Sequence, residues 1–425
     1  MAGENLLNAS GALKQGSDTI FSWWARYQDA KAEGKDAVNG TIGALLEDDG
    51  NLAINKAVDS AIRESPEVEI SAYAPRAGLP AFLDLSKTLA LGDSRDKLEN
   101  LGFNFASTAS PGGSGALYLA ANNFLDPGDN VLLRDRYWGP YKGFLENNKL
   151  GFVTWPLLPP EANDEHPYFA KEEFSSELEE LVKTQKKVMV WLNDPAHNPT
   201  GLSMSEQGRI ACLETFVDSA LNNENVGHTL LIDSAYSLYA DEPFAWADTI
   251  LNEIENGMMW PDNLLICVAV SLSKSHTIYG LRTGALVSMH PEKEVTDRLD
   301  TVMSVTGRQT WSATPRVAQF CVSEMHSSEE GGKAWSDERD RLKDLLDNRR
   351  NILNSECEKL GVAINPTMDG FFAWIESSDP IAVAEKCAEN DVFLVPLNGG
   401  VRIGLCALPT DSIPKVAMAL SKAMS

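Results

Sequence analysis

Short continuous apolar runs alternate with longer stretches of helical period over most of this chain. The runs NVLLRD (130–135), KVMVWLND (187–194), TLLIDS (229–234), NLLICVAV (263–270) and TGALVSM (283–289) are rich in Val, Ile and Leu and show little alternation. A strand that reads this way is buried on both faces, as in a parallel sheet. Between the runs, SGALYLAANNFL (114–125), EELVKTQ (179–185) and SEQGRIACLETFVDSALNN (205–223) carry apolar residues at helical spacing. Parallel strands need crossover connections, usually helices, so the pattern predicts an α/β fold: a mainly parallel sheet sandwiched by helices. After about residue 290 the pattern changes. A long helical region, 333–360, leads into GFFAWIES, VFLVPLN and VRIGLCAL, an α+β tail. The start of the chain holds no run of the parallel-sheet kind and is expected to pack with that tail. The expected division is therefore an N-terminal segment 1–64 and a C-terminal segment 306–425 that together form a smaller α+β domain, with a large domain 65–305 between them.

Composition narrows the partners. The chain has 425 residues, with 36 Lys and Arg against 61 Asp and Glu, a net charge of −25. That balance argues against binding nucleic acid or an anionic membrane surface. The six cysteines form no C-x-x-C pair and no zinc-ligand spacing with histidine, so no metal site is expected and reduced, buried thiols are. The opening MAGENLLNASGALKQGSD has neither a basic nor a long apolar stretch, and no run approaches a membrane span. A cytoplasmic protein is the expectation.

In open α/β sheets, ligands bind outside the carboxyl ends of the strands. Unusual residues gather at those ends here. Tyr137-Trp138-Gly139 comes shortly after NVLLRD, PAHNPTG with Asn198 follows KVMVWLND, and TLLIDSAY carries Asp233 and Tyr236 at its end. NLLICVAV runs into SLSK, with Ser271 and Lys274, and Arg282 follows eight residues on. Each has an ordinary alternative. Gly113 and Ser114, at a helix start, fit a phosphate cradle or a plain turn with Ser114 as its cap. Asp233 could cap the next helix, Trp138 could be core, and Lys274 could be a surface lysine with a buried stem. As a set they fit one cofactor. Pyridoxal 5′-phosphate has a phosphate, a flat ring for an aromatic side chain, a ring nitrogen that wants an anion, and an aldehyde that takes a lysine amine.

The ordered motifs YAPRAGLPAF, GGSGAL, YWGP, HNPTG, DSAY, SLSKSHTIYGLRTG, RQTWSATP and GGVRIG extend this picture. With them the chain resembles the fold-type I pyridoxal-phosphate aminotransferases of the aspartate and aromatic amino-acid branch, from about Asn39 to the C-terminus. The resemblance implies roles. Lys274 matches the lysine that forms the Schiff base and moves the substrate proton. Asp233 matches the partner of the pyridinium nitrogen, and Tyr236 with Asn198 the pair that hydrogen-bonds the cofactor phenolate. Trp138 matches the stacking aromatic. Gly113, Ser114, Ser271 and Arg282 match the phosphate site, and Tyr73 a tyrosine that reaches the phosphate from the neighbouring subunit. Arg402 matches the clamp on the substrate α-carboxylate, with Gly43 against that carboxylate and Phe372 lining the pocket.

Arg308 and Ser312, in RQTWSATP, match a segment donated across a dimer, in which the arginine binds a distal carboxylate. QT and AT depart from the usual pattern there, as does the segment after GGVRIG, and a surface arginine is the alternative for Arg308. The resemblance thus implies a homodimer with shared active sites. It also implies ping-pong transamination between an amino acid, aspartate or aromatic, and a 2-oxo acid, with 2-oxoglutarate the expected acceptor. A decarboxylase or lyase could use the same residues, since fold does not fix chemistry. A non-catalytic ligand-binding module is a further alternative, against which intact Lys274 and Asp233 count.

Overall fold

The computed structural model describes residues 6–12, 14, 18–161 and 163–424. Its centre is a seven-stranded sheet of β1 (Asn104–Pro111), β2 (Asn130–Arg134), β3 (Gly151–Trp155), β4 (Lys187–Asn193), β5 (Gly227–Asp233), β6 (Leu264–Ser271) and β7 (Thr283–His290). The spatial order is β1-β7-β6-β5-β4-β2-β3. β2 to β6 pair in parallel, and β7 alone runs antiparallel, between β6 and β1. Helices cover both faces and create two separate apolar layers. One is built on Trp155, Leu192, Phe216 and Ile266, the other on Leu117, Leu133, Trp191 and Leu286. This is the expected α/β fold with a mainly parallel sheet.

The apolar runs predicted five of the strands to within two residues at each end. β1 and β3 were not read as strands. The inward positions of β1 are small and polar, and their burial is compensated locally. Ser107 Oγ lies 2.7 Å from Ser86 Oγ, and the Ser107 N–H donates to Asp300 Oδ1 at 3.0 Å. β3 is an edge strand, only half-buried along most of its length, so it lacks the continuous apolar signature. The antiparallel sense of β7 is invisible in a strand buried at every position.

A smaller sheet lies beyond the long helix Glu329–Lys359. It contains β8 (Ala373–Glu376), β9 (Val395–Leu397) and β10 (Gly400–Ile403), antiparallel in the order β9-β10-β8. VFLVPLN thus splits into β9 and a two-residue strand, Val392–Phe393, that pairs in parallel with Val38–Asn39. That pairing draws the start of the chain onto the C-terminal part. Arg349 of the long helix reinforces it by donating to the carbonyls of Leu46, Leu405 and Cys406 and to Asp48 Oδ1. A helix runs unbroken from Lys293 to Thr310, across the expected change of segment at 305. All six cysteines are buried and unpaired. No helix of the described residues is long and apolar enough to cross a membrane, and no group of three or more His, Cys, Asp or Glu among them could hold a metal ion.

Strand register decides what meets at the sheet edge. Asn193, Asp233 and Ala269 align across β4, β5 and β6. Ser271 aligns with Gly284, and Gly284 with Ser110. The carboxyl ends of these strands, and the helix α1 (Gly112–Asn123) that follows β1, therefore open onto one crevice.

Candidate active site

The first wall of the crevice is a cradle of donors. β1 passes into α1 through Gly112, whose φ of +70° favours glycine. A Cβ at Gly112 would lie 2.7 Å from Arg282 Nη2, and one at Gly113 would lie 3.0 Å from Ser271 Cβ. Two glycines in a row thus let a guanidinium and a hydroxyl close on the helix end. No side chain caps α1, so its first-turn N–H groups, including that of half-buried Ser114, have no intrahelical partner. Arg282 holds the left-handed φ of 47° and donates through Nη1 to Ser273 Oγ (3.2 Å) and to the Tyr279 carbonyl (2.9 Å). Ser271 Oγ accepts from the Ser273 N–H at 3.4 Å. An uncapped helix N-terminus, two hydroxyls and one guanidinium form a site for a dianion.

The second wall carries the titratable groups. Asp233 ends β5 and is buried. Its Oδ2 accepts from Tyr141 Oη at 2.5 Å and its Oδ1 from the Ala235 N–H at 3.1 Å. Burial pushes this carboxyl up from its ordinary value, while the two hydrogen bonds and the Lys274 charge oppose the rise. Asn193 Nδ2 donates to the Asp233 carbonyl at 2.8 Å, and Asn193 Oδ1 accepts the Asn198 N–H at 2.6 Å. Asn198 Nδ2 then reaches Tyr236 Oη at 3.3 Å. Burial raises the Tyr236 hydroxyl, with the Arg402 charge opposing, so it stays a neutral phenol.

Lys274 sits one turn past β6. Its Nζ lies 5.4 Å from the centre of the Tyr236 ring and 5.6 Å from that of Tyr279, within cation–π range. Among the described residues it has no hydrogen-bond or ion-pair acceptor. Burial brings its amine down from 10.5 to about 8; Asp233 opposes the shift and Arg282 adds to it. The backbone beside it is tied down. Tyr239 Oη donates to the Lys274 carbonyl (3.2 Å) and Trp335 Nε1 to the Ser275 carbonyl (3.1 Å).

The third wall comes from the chain ends. Arg402 of β10 is 2% exposed. Its Nη2 donates to the Thr41 carbonyl at 2.6 Å and its Nη1 to Asn198 Oδ1 at 3.4 Å, while Nε has no partner. The guanidinium lies 4.5 Å from the centre of the Phe372 ring. Phe372 also touches Gly43, where a Cβ would stand 3.3 Å from Phe372 Cζ. Trp138 is half-buried and meets the Tyr141 ring edge-on at 5.6 Å. The fold therefore brings Gly113, Ser114, Trp138, Asn198, Asp233, Tyr236, Ser271, Lys274, Arg282, Arg402, Gly43 and Phe372 to one crevice.

Three other residues singled out in the sequence are not joined to this network by their own chain. Tyr73 is 88% exposed. Arg308 is exposed near the end of the helix Lys293–Thr310, and its Nη1 donates to Ser312 Oγ, also exposed, at 2.5 Å. Conversely, Tyr141, Ser273, Tyr279 and Thr41 belong to the network but were not picked out by sequence. Tyr141 lies three residues past Trp138, and Ser273 and Tyr279 lie inside SLSKSHTIYGLRTG, so motif position offered a signal for those three. Nothing in the sequence marks Thr41, which contributes only a carbonyl.

Residues 35–420 match the family model for aminotransferase class I and II. An aromatic-amino-acid aminotransferase of Paracoccus denitrificans is 26% identical, with 96% of this chain and 98% of that protein covered. A cytoplasmic aspartate aminotransferase of Schizosaccharomyces pombe is 24% identical over 96% of both chains. Among solved structures, an aminotransferase from Anaerococcus prevotii superimposes with a TM-score of 0.89 at 24% identity, covering 99% of this chain and 98% of that one. An aromatic-amino-acid aminotransferase from Burkholderia pseudomallei, described as covalently bound to pyridoxal phosphate, gives a TM-score of 0.76 at 20% identity, covering 99% and 100%. With the family match spanning most of its length, this chain belongs to the class I and II aminotransferases.

Proposed function

We propose that the chain is a pyridoxal-phosphate-dependent aminotransferase that moves an amino group from aspartate or an aromatic amino acid to a 2-oxo acid, with 2-oxoglutarate as acceptor. The observation that carries this proposal is Lys274: a half-buried amine of lowered basicity, with no acceptor of its own among the described residues, near the buried Asp233 carboxylate and flanked by a cradle of donors. The residues fit the cofactor group by group. The α1 N–H groups with Ser114, Ser271, Ser273 and Arg282 would hold the phosphate. Trp138 would cover the ring, Asp233 would serve its nitrogen, and Asn198 and Tyr236 its phenolic oxygen. When bound, the cofactor supplies an aldehyde for an amine and a ring that takes up the electron pair left at a substrate Cα.

The chain's own residues do the rest. With a pKa of about 8, the Lys274 amine is partly neutral near neutral pH, so Nζ can accept a proton from substrate carbon and return it. The Asp233 carboxylate holds a proton at the ring nitrogen. The open Nε edge of Arg402 suits a substrate α-carboxylate, because a buried donor without a partner is costly until an acceptor arrives. Phe372 behind the guanidinium and Gly43 beside it keep that edge narrow. In this proposal the large domain 65–305 holds the cofactor, and the smaller one, from 1–64 and 306–425, carries Gly43 and Arg402. Tyr73, Arg308 and Ser312 are exposed because they serve the active site of a second copy: Tyr73 at its phosphate, Arg308 and Ser312 at the distal end of its substrate. The enzyme is taken to act in the cytoplasm.

The test is an absorption spectrum of the purified protein with pyridoxal phosphate. Adding aspartate or phenylalanine should move the visible band to shorter wavelength and release the matching 2-oxo acid, and 2-oxoglutarate should restore the band. A protein that binds the cofactor but responds to none of these amino acids would overturn the proposal.

A further inference from the structure

The carboxylate at the centre of the site is not left to solvent or to the lysine alone. Tyr141 is 2% exposed and opens the helix Tyr141–Asn147, and its ring packs 4.7 Å from that of Trp191 on β4. Trp138 meets the same ring edge-on. The phenol is thus fixed on two sides, with its Oη 2.5 Å from Asp233 Oδ2. Burial and the Asp233 charge push the Tyr141 hydroxyl well above its ordinary 10, so it keeps its proton and acts only as a donor toward the carboxylate. The other charged or titratable groups facing Asp233 are Lys274, from the turn after β6, and Tyr236, from the loop after β5.

We propose that Tyr141 is a positioning residue for the cofactor's ring nitrogen: its O–H, donating to Asp233 Oδ2 across 2.5 Å, keeps the buried carboxylate ionised and aimed at that nitrogen. This rests on the assignment of Asp233 to the ring nitrogen. The physical argument is short. A buried carboxylate is destabilised by desolvation, and a hydrogen bond to its charged form offsets that cost. Remove the O–H and, among the described residues, only the Ala235 N–H remains on the carboxyl group, with the Lys274 charge behind it. The carboxyl then holds its own proton more tightly, leaving less negative charge for the ring nitrogen.

The experiment uses Tyr141→Phe, which removes one oxygen and leaves the packed ring. The first readout needs no cofactor. The protonated-carboxyl infrared band of Asp233, identified by its loss in Asp233→Asn, is followed against pH in the apo-protein. Its midpoint should rise by about one to two pH units in Tyr141→Phe, the size expected for a lost hydrogen bond to a charge. 3-Fluorotyrosine placed at 141 is a stronger donor of nearly the same shape and should move the midpoint down. The second readout is pyridoxal phosphate affinity, which should fall roughly tenfold in Tyr141→Phe, the equivalent of one such unit. Unchanged midpoints in both variants would overturn the proposal, and so would shifts in the same direction, which would mark Tyr141 as packing only. A midpoint that moves as expected with unchanged cofactor affinity would also overturn it, by separating Asp233 from the ring nitrogen while leaving cofactor binding intact. If the unaltered protein bound no pyridoxal phosphate at all, the assignment of Asp233 would fall first and the proposal with it.

Discussion

Two parts of the molecule carry the residues tied to its chemistry, and they are built differently. At the carboxyl ends of β4, β5 and β6, the polar groups are packed against their own chain. Asp233 has Tyr141 and the Ala235 N–H, Asn198 has Asn193 and Tyr236, and Lys274 lies against two tyrosine rings. Around Tyr73, Arg308 and Ser312 the chain does the opposite. These side chains stand at the surface, and among the described residues Arg308 has only its neighbour Ser312 as acceptor. The first region is preorganised, so charge is stabilised there without rearrangement. In the second, a surface arginine has little to gain from its own chain and is free to act elsewhere. The comparison teaches that one chain closes the contacts around Asp233, Asn198 and Lys274 by itself, while it leaves Tyr73, Arg308 and Ser312 open, where the proposed function puts the choice of substrate.

The largest break comes from the closed region. Lys274→Ala should abolish transamination, because among the described residues no other amine stands over Tyr236 and Tyr279 to move the proton. Single-turnover assays with saturating cofactor measure this. Asp233→Ala comes next. Loss of one preorganised electrostatic partner typically costs on the order of 10²–10³ in rate, and that drop should appear in kcat while the far-ultraviolet circular dichroism stays unchanged. The open region should respond selectively instead. If Arg308 reads the distal end of an acidic substrate, Arg308→Ala should lower kcat/KM for aspartate about 10²-fold relative to phenylalanine, because an unpaired buried carboxylate costs several kcal/mol. Arg402→Ala should weaken both donors alike, and equal losses in Arg308→Ala would erase the proposed difference between the regions.

The smallest effect is on stability. Burial lowers the Lys274 amine from 10.5 to about 8 in the folded chain. Between those values the unfolded chain binds more protons than the folded one, so this group makes stability rise with pH from about 8 to 10.5 and costs stability below. Lys274→Met should therefore make the cofactor-free protein more stable at pH 7 by roughly 1–3 kcal/mol, with the gain fading between pH 8 and 10.5 and absent above. Urea denaturation at the two pH values checks this.

How much of this was legible in the sequence follows from the same contrast. β4, β5 and β6 announced themselves because strands buried on both faces are mostly apolar up to their carboxyl ends. Asp233 and Lys274 therefore stood out at those ends. β1 stayed hidden because its buried Ser107 is satisfied by Ser86 and Asp300, distant in sequence. Tyr141 was missed for a similar reason. Its partner lies 92 residues on, and only folding shows that the phenol points at a carboxylate rather than into the core. The Arg402 pocket was legible as a motif, but its backbone acceptor at Thr41 was not, since a carbonyl leaves no mark on residue type.

The most direct test of the central claim is reductive trapping. The protein is loaded with pyridoxal phosphate, treated with borohydride, digested, and mapped by mass spectrometry. The account predicts one stoichiometric pyridoxyl group, on the peptide that carries Lys274, and none in Asp233-intact protein bearing Lys274→Ala. A stable label on any other lysine, or no label in cofactor-loaded protein, would contradict it.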